Sequence, residues 1–337
     1  MDTERSFRKR KDILVVVLGL SSLFFLLGPY QGPALGAGAD YPSNPINIIS
    51  GNPPGGFISV SAQIFADAAK KYLPKAQPIN VQFKPGAATA VSADYVSKQP
   101  ADGYNILWLS MSLVSKMAEE EGKLSFNKDD FYLVGTFVKT PFVMPYNLEK
   151  AKAKTFEEFI ALAKKHPGDI PWGSTGFGSS GHVTYELLAM QTGIKLNQVP
   201  FKGAAEAMTA LMGGHVETMF TTIPSVESQL RPGGGLGLYA VTSAKRFPQF
   251  PNVPTYQEKG ITMDRYMWVA MALRKGTPPA ILKILGDVLK RVEDDREVQT
   301  KMAGMGYMAA NWGPEESRKR LEEEFDISKK IFKKTDK

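Results

Sequence analysis

The stretch Ile46-Asn47-Ile48-Ile49-Ser50-Gly51-Asn52-Pro53-Pro54-Gly55-Gly56-Phe57 combines the signals of a strand, a tight loop and the start of a helix. The β-branched residues at its start predict a short strand, and Pro-Pro-Gly-Gly predicts a tight loop. A helix is predicted directly afterwards, because apolar side chains recur at helical spacing: Phe57, Val60, Ile64, Phe65, Ala68 and Leu73. In α/β proteins small ligands bind at the carboxyl ends of such strands, and the free N–H groups of a helix start attract anions. An ordinary connection between a strand and a helix fits these residues equally well.

Strands and helices alternate along the following part of the chain. The pattern of Pro78 to Phe83 predicts a strand, and a buried strand is predicted at Ile106 to Leu109. Ser110 follows that strand directly, so it should lie at the same edge of the sheet as the first loop. Short loops between alternating strands and helices are typical of an α/β fold with a mostly parallel sheet.

Two segments mark where the chain crosses between two domains. Tyr132 to Val138 and Phe142 to Tyr146 predict two strands separated by Thr140-Pro141, where the chain would enter a second domain. Tyr266 to Leu273 predicts a strand that returns the chain to the first domain. The part after residue 39 is longer than a usual single domain, which also favours two. The chain closes with helices predicted at 279–293, 297–305 and 314–330.

A second loop of the ligand-binding type follows the short strand predicted at Ile170 to Gly173. It reads Ser174-Thr175-Gly176-Phe177-Gly178-Ser179-Ser180-Gly181, and a helix is predicted from His182 onwards. Small residues let backbone N–H groups approach an oxyanion, and the hydroxyls of Ser179 and Ser180 can donate to it. Thr221 follows another predicted strand and places a further hydroxyl at a strand end.

The spacing Gly176-x-Gly178-x-x-Gly181 also matches a dinucleotide fingerprint. That fingerprint needs an acidic residue at the end of the next strand, about 20 residues later, to bind the ribose. Phe201 and Lys202 stand there instead, so we expect an anion site without a nucleotide cofactor. Lys202 could aim its cation at the ligand or lie on a turn, and the sequence favours neither.

The sequence lacks catalytic and metal-binding patterns. Its three histidines, His166, His182 and His215, are widely separated and have no carboxylate at metal-ligand spacing. Neither a Gly-x-Ser-x-Gly motif nor a pair of carboxylates indicates hydrolysis. We therefore expect no metal, no cofactor, no catalytic residue and no enzymatic activity. For His182, contact with the ligand and packing against its neighbours fit the sequence equally well.

Residues 1–39 predict a secretory signal peptide. A basic head precedes an apolar core from Ile13 to Leu27, and Ala37-Gly38-Ala39 offers a cleavage site near Ala39. The alternative is a membrane anchor, for which the apolar run is short. The chain has no cysteine, which excludes disulfides and thiolate metal sites and suits a bacterial periplasm. The formal charge of +7 fits an anionic ligand, and no basic motif indicates nucleic acid as a partner.

Short motifs spread over nearly the whole mature chain resemble one known family. In order they are Tyr41-Pro42-Ser43-Asn44-Pro45-Ile46, Pro53-Pro54-Gly55-Gly56, Lys84-Pro85-Gly86-Ala87, Ala101-Asp102-Gly103-Tyr104, Gly178-Ser179-Ser180-Gly181-His182, Val199-Pro200-Phe201-Lys202-Gly203, Gly213-Gly214-His215-Val216-Glu217, Ala240-Val241-Thr242-Ser243-Ala244-Lys245-Arg246 and Asn252-Val253-Pro254-Thr255. Each motif is weak alone, but the ordered set is specific. The chain resembles the extracytoplasmic solute receptors of tripartite tricarboxylate transporters, also called the Bug family.

The resemblance implies a two-lobed periplasmic binding protein of type II. Each lobe would be a mostly parallel sheet flanked by helices, with the ligand in the cleft between lobes. Residues 40–140 and 264–337 would form lobe 1, and residues 141–263 would form lobe 2. In this family two loops hold a carboxylate through backbone N–H groups, small hydroxyls and waters. With the candidates above, the expected ligand-binding residues are Pro54, Gly55, Gly56, Phe57, Ile58, Ser59, Ser110, Ser174, Gly178, Ser179, Ser180, His182, Lys202 and Thr221.

Two departures from the family bear on the ligand. The family often has an acidic residue where this chain has Ser59, and another where it has Thr221. Neutral hydroxyls at both positions argue against a ligand with an ammonium group. We expect a mono- or dicarboxylate, with or without an aromatic ring, that a monomeric receptor delivers to the membrane permease of a tripartite tricarboxylate-type transporter. The alternatives are a sensor that presents its closed form to a signalling partner, and an exported enzyme on the same fold.

Overall fold

The computed structural model describes residues 40–335, so the predicted signal peptide lies outside the described residues. Within that range no helix is both long and apolar enough to cross a membrane. The strands are β1 (Ile46–Ser50), β2 (Ile79–Phe83), β3 (Asn105–Ser110), β4 (Phe131–Asn147), β5 (Pro171–Ser174), β6 (Asn197–Pro200), β7 (Thr218–Met219), β8 (Thr221–Thr222), β9 (Leu236–Val241), β10 (Tyr266–Arg274) and β11 (Met308–Trp312). The helices are α1 (Phe57–Ala69), α2 (Ala90–Ser97), α3 (Met111–Glu119), α4 (Phe156–Lys165), α5 (Ser180–Thr192), α6 (Ala204–Gly213), α7 (Ile223–Leu230), α8 (Pro279–Glu293), α9 (Arg296–Gly304) and α10 (Pro314–Thr335).

The larger sheet contains β1, the strand predicted at the start of the first loop, next to the edge strand β2. Its strand order is β11-β4-β10-β3-β1-β2, with β8 and β9 paired to β4 outside this path. Strand β1 runs parallel to β2 and β3, whereas β4 and β10 are antiparallel to their neighbours. Ile48 packs into the core cluster on one face of the sheet, and Ile49 packs into the cluster on the other. A strand that is buried on both faces needs a nearly continuous apolar run, which β1 has.

Strand β4 is one continuous strand of 17 residues where the sequence predicts two. Its first part pairs with β10 and β11, and its last part pairs with β8 and β9. Pro141 lies at the change of partners, since it is opposite Tyr266 of β10 and the next residue, Phe142, is opposite Thr222 of β8. A proline lacks the N–H that a sheet interior requires, but it is tolerated where the pairing changes. The sequence predicts a break between two strands at Thr140-Pro141. In the structure the strand continues through this point and changes the strands with which it pairs.

A second sheet has the order β6-β5-β7, and both of its pairs are parallel. Two core clusters are drawn almost entirely from residues 41–138 and 268–332, and two others from residues 143–263. If residues 40–140 and 264–337 form one lobe and residues 141–263 form the other, each lobe has its own core clusters. The boundaries themselves stay a prediction.

The C-terminal helix α10 packs along α3, a helix that the sequence pattern did not indicate. Leu321, Phe325 and Phe332 are buried on its inner face, as the spacing of apolar residues predicts. Phe332 reaches the second loop, where its ring centroid lies 5.7 Å from that of Phe177. The end of the chain thus supports one of the two loops predicted to hold the ligand.

Candidate ligand-binding site

The starts of five helices face one cavity of about 300 Å³, which we call the clamp cavity. The residues at these starts are Gly56, Phe57 and Ile58 at α1, Ser112 of α3, Ser180 and Gly181 of α5, Ala204 of α6, and Thr222 and Ser225 at α7. The first N–H groups of a helix have no partner within it, and the helix dipole adds partial positive charge there. No residue that lines the clamp cavity has an ionisable side chain. The cavity therefore suits an anion that is bound by neutral donors.

Two glycines let the first loop turn sharply into α1. Gly55 has a φ of 98°, in the left-handed region that favours glycine, and Gly56 precedes the helix in an extended conformation. Ser59 is buried beneath the loop. Its Oγ accepts a hydrogen bond from the Gly56 N–H at 3.1 Å and donates to the Gly56 carbonyl at 3.0 Å. No side chain caps the start of α1, so the N–H groups of Phe57 and Ile58 stay available to a ligand.

Ser174 fixes the conformation of the second loop through hydrogen bonds to Gly176. Its Oγ accepts a hydrogen bond from the Gly176 N–H at 3.0 Å and donates to the Gly176 carbonyl at 3.1 Å. Gln198 of β6 also donates to the Ser174 Oγ, at 2.7 Å. Gly176 and Gly178 have φ values of 111° and 75°, which only glycine adopts at low cost. These bonds hold the loop in place without turning the Ser174 side chain towards the clamp cavity.

The start of α5 presents two free N–H groups. The Ser179 Oγ caps the helix by accepting a hydrogen bond from the His182 N–H at 3.2 Å, which leaves the N–H groups of Ser180 and Gly181 uncapped. A Cβ on Gly181 would lie 2.5 Å from the Phe220 carbonyl oxygen, so glycine is required there. The Ser180 Oγ lies 3.4 Å from the Ser112 Oγ of α3. The second loop and the start of α3 thus meet at the clamp cavity.

His182 lies beneath the second loop and does not line the clamp cavity. Its Nδ1 accepts a hydrogen bond from the Gly178 N–H at 3.4 Å, and its ring centroid is 4.6 Å from that of Phe177. Burial lowers the pKa of His182 from 6.5 to about 4, so the imidazole is neutral near pH 7. A neutral ring that accepts from the loop backbone supports the loop. Of the two roles that the sequence left open, packing against neighbours agrees better with this geometry.

The other predicted site residues fall into three groups. Gly56, Phe57, Ile58, Ser180 and Thr221 line the clamp cavity, Gly178 and Lys202 line a second cavity of about 560 Å³, and Ser179 lines both. Pro54 and Gly55 are exposed and line neither cavity. Ser59, Ser110 and Ser174 are buried beside the strands and loops that form the walls. Contact of each residue with the ligand stays a prediction.

Several wall residues have no counterpart among the predicted ones. Asn52 and Thr175 line both cavities, and each belongs to one of the two predicted ligand loops. Their position in those loops is the sequence signal that marks them. The apolar wall consists of Phe142, Met219, Phe220 and Met267 together with Phe57 and Ile58. Core residues have the same composition, so no sequence signal separates the first four from the core.

Among residues 40–335, no group of histidine and carboxylate side chains is placed to hold a metal ion. The clamp cavity also lacks an ionisable residue that could act as a general acid or base. The residues that line the clamp cavity offer backbone N–H groups, hydroxyls and apolar side chains.

Comparison with known proteins identifies a family, relatives and solved structures that are similar to this chain. Residues 61–336 match the sequence model of the tripartite tricarboxylate transporter family receptor. Protein BugT of Bordetella pertussis is 30% identical over 311 residues, which cover 89% of this chain and 93% of BugT. The structure of a TctC solute binding protein from Polaromonas is 30% identical, with a TM-score of 0.75 over 87% of this chain and 99% of that chain. MatC from Rhodopseudomonas palustris, solved with bound malate, shares the fold at 23% identity, with a TM-score of 0.73 over 87% of this chain and 100% of MatC. These similarities confirm the resemblance found in the sequence and the predicted fold class.

Proposed function

This chain belongs to the tripartite tricarboxylate transporter receptor family, and we propose that it captures a small carboxylate in the periplasm for uptake by a transporter of that type. The observation that carries the proposal is the meeting of five helix starts at a cavity without ionisable side chains. Backbone N–H groups and hydroxyls in that arrangement stabilise a carboxylate without reacting with it. The protein acts as a receptor and leaves its ligand chemically unchanged.

Two loops form the clamp in this proposal. Residues 54–59 belong to the lobe formed by residues 40–140 and 264–337, and residues 174–182 belong to the lobe formed by residues 141–263. Each loop offers uncapped N–H groups at a helix start. A carboxylate that bonds both loops at once binds better when the lobes are closed, and this differential contact shifts the population towards the closed form.

The ligand in this proposal has no positive charge. An ammonium group needs a carboxylate or several acceptors, and the clamp cavity has the hydroxyls of Thr221 and Thr222 but no acidic residue. The apolar wall around Phe142 and Met267 suits a carbon body, either aliphatic or aromatic. MatC, which shares the fold, was solved with the dicarboxylate malate.

Membership of this family also supports a proposal for how the protein is exported and which membrane protein it contacts. Residues 1–39 act as a cleavable signal peptide in this proposal, and the mature receptor binds its ligand as a monomer. It then docks on the membrane permease of a tripartite tricarboxylate-type transporter.

Titration calorimetry tests the ligand class. Purified mature protein is titrated with a panel of aliphatic and aromatic carboxylates and with aspartate and glutamate. We expect binding of at least one plain carboxylate and weaker or absent binding of the amino acids. Binding of amino acids alone would overturn the proposed ligand class. Recovery of the bound carboxylate unchanged after prolonged incubation, followed by mass spectrometry, separates a receptor from an enzyme.

A further inference from the structure

Arg265 lies where the chain returns from one proposed lobe to the other. Its backbone N–H donates a hydrogen bond to the Thr242 carbonyl at 3.2 Å, and the Thr242 Oγ1 donates to the Arg265 carbonyl. The same hydroxyl accepts a hydrogen bond from the Phe142 N–H at 2.9 Å, directly after the first crossing at Thr140-Pro141. Both crossing segments are therefore bonded to Thr242, a buried residue of the lobe proposed for residues 141–263.

The Arg265 side chain joins two helices from different lobes. Its guanidinium donates two hydrogen bonds to Glu324 of α10, at 2.6 Å and 2.9 Å, and its Nε donates to the Thr184 Oγ1 of α5 at 3.1 Å. In the proposed division α10 belongs to the lobe of residues 40–140 and 264–337, and α5 belongs to the other lobe. All three side chains are buried, and we call them the hinge network. Because a guanidinium donates in fixed directions, these bonds hold α5 and α10 at a set distance and angle.

The hinge network lies directly behind the wall of the clamp cavity. The Thr184 Oγ1 donates a hydrogen bond to the Ser180 carbonyl at 2.7 Å, and Ser180 lines the cavity at the start of α5. The guanidinium carbon of Arg265 is 5.7 Å from the ring centroid of Phe142, which lines the cavity as well. No member of the hinge network lines the clamp cavity itself. The network can therefore affect a ligand in that cavity only through the position of the walls.

A separate cavity of about 160 Å³ adjoins the hinge network, and Arg265 and Glu324 form part of its wall. Apolar side chains from both proposed lobes line it, among them Met111, Trp268 and Ile327 from one lobe and Leu187 and Met263 from the other. Protein interiors are normally close-packed, so a cavity here means that these apolar side chains leave space between the lobes. The hydrogen bonds of the hinge network thus contribute a large part of the contact between α5 and α10 at this point.

We propose that Arg265 is a positioning residue for ligand binding: with Glu324 and Thr184 it fixes the angle between the lobes at which the two ligand loops share the clamp cavity. The network forms without a ligand, so it favours this arrangement before binding, and less of the binding free energy is then used to reach it. The inference rests on the proposed function, because two lobes that hold a ligand between them are part of that function.

The first test measures the arrangement of the lobes without any ligand. The chain has no cysteine, so Val91→Cys and Thr209→Cys introduce the only two sites for spin labels, one in each proposed lobe. Both residues are exposed. Double electron–electron resonance on the purified mature protein gives the distribution of distances between the labels. Thr184→Val keeps the shape of the side chain and removes the acceptor of the Arg265 Nε. We expect it to broaden the distribution and extend it to longer distances.

Two further variants separate positioning from a loss of stability. Thr184→Ser keeps the hydroxyl and should restore the narrow distribution. Thr192→Val is the matched control on the same helix, because the Thr192 Oγ1 donates to the Leu188 carbonyl at 2.7 Å, as the Thr184 Oγ1 does to Ser180. This control loses the same bond within the helix and leaves Arg265 unchanged, so its distribution should stay narrow. Urea unfolding measures the stability of each variant.

The second test measures ligand affinity. Malate, adipate and benzoate serve as probes, and calorimetry identifies the tightest binder. Thr184→Val should weaken its binding by about 2- to 10-fold, the effect of one hydrogen bond, whereas Thr184→Ser and Thr192→Val should bind within about 2-fold of the natural protein. Since Thr184 does not line the clamp cavity, a loss of affinity in Thr184→Val reports on the position of the walls.

The outcomes separate this inference from the proposed function. An unchanged distance distribution in Thr184→Val, equal broadening in Thr192→Val, or a distribution that stays broad in Thr184→Ser would each overturn the inference. Unchanged affinity despite a broader distribution would overturn the role in binding. If none of the three probes binds, the result counts against the proposed function, and the distance measurement still decides whether the network sets the lobe angle. If Thr184→Val does not fold, Thr184→Ala takes its place with the same expected results.

Discussion

Arg265 and Glu324 form a buried ion pair in which Nη1 donates to Oε2 at 2.6 Å and Nη2 donates to Oε1 at 2.9 Å. Arg265 precedes β10, and Glu324 lies on α10. The Arg265 Nε also donates to the Thr184 Oγ1 of α5 at 3.1 Å, and the Ser115 Oγ of α3 donates to Glu324 at 3.0 Å. The pair thus connects the C-terminal helix with two of the helices whose starts line the clamp cavity.

Replacing Glu324 by Gln should therefore be costly. The Arg265 guanidinium would stay buried without a counter-charge, which typically costs about 3–5 kcal/mol of unfolding free energy. The exposed pair of Lys283 and Asp287 offers the control, because Asp287→Asn should cost only about 0–1 kcal/mol. Urea unfolding measures both variants. If both variants lose the same unfolding free energy, the buried pair stabilises the fold no more than an exposed pair does.

His182 should make stability depend on pH. Its pKa is about 4 in the folded protein, against 6.5 in an unfolded chain. Between these values the unfolded chain binds a proton that the folded protein does not, so stability falls as pH drops, by about 3 kcal/mol at most. His182→Asn keeps an acceptor for the Gly178 N–H and should lose less stability over the same range. Urea unfolding at about pH 7 and about pH 4 compares the two proteins. Parallel profiles would contradict a neutral buried imidazole.

Glu293 should produce the opposite dependence. Its side chain is buried on α8 and accepts a hydrogen bond from the Asn311 N–H at 3.0 Å, and burial raises its pKa from 4.5 to about 7. The folded protein keeps a proton in this range that the unfolded chain has lost, so stability falls as pH rises through it. Glu293→Gln keeps the acceptor and removes the charge. We expect it to be more stable than the natural protein at about pH 8, by up to about 3 kcal/mol.

Asp287→Asn, an exposed change on the same helix, is the control for Glu293→Gln. It should leave the pH profile unchanged. A Glu293→Gln variant that is no more stable than the natural protein at alkaline pH would show that Glu293 ionises without penalty when folded.

A substitution of Gly56 should weaken ligand binding without destabilising the fold. A Cβ on Gly56 would meet no protein atom within 4 Å, so the fold should accept a side chain there. Gly56→Val would instead place two methyl groups beside the uncapped N–H groups of Phe57 and Ile58, and should weaken carboxylate binding by about 1–3 kcal/mol. Calorimetry measures the change. Gly304, at the end of α9, is equally free of neighbours, and Gly304→Val should leave binding unaltered. Unchanged affinity in Gly56→Val would remove the first loop from the site.

Local signals in the sequence predicted many elements well. Helix α8 has the predicted bounds, Pro279 to Glu293, because a proline begins it and apolar residues recur at helical spacing. Strand β10 extends one residue beyond its prediction. The sequence predicts two strands in place of β4, because Pro141 is typical of a break. The sheet accommodates Pro141 at the point where β4 changes its pairing partners.

Patterns in the sequence are enough to predict the family, the α/β class and the two loops around Gly56 and Ser179. Those signals depend on a few neighbouring residues: β-branched runs, prolines, glycines and helical spacing. The meeting of five helix starts at one cavity and the position of His182 beneath a loop are visible only in the folded chain. The same is true of Asn52 and Thr89, which come from separate loops and line one cavity. These features depend on how segments far apart in the chain pack together, and a local sequence pattern does not predict that packing.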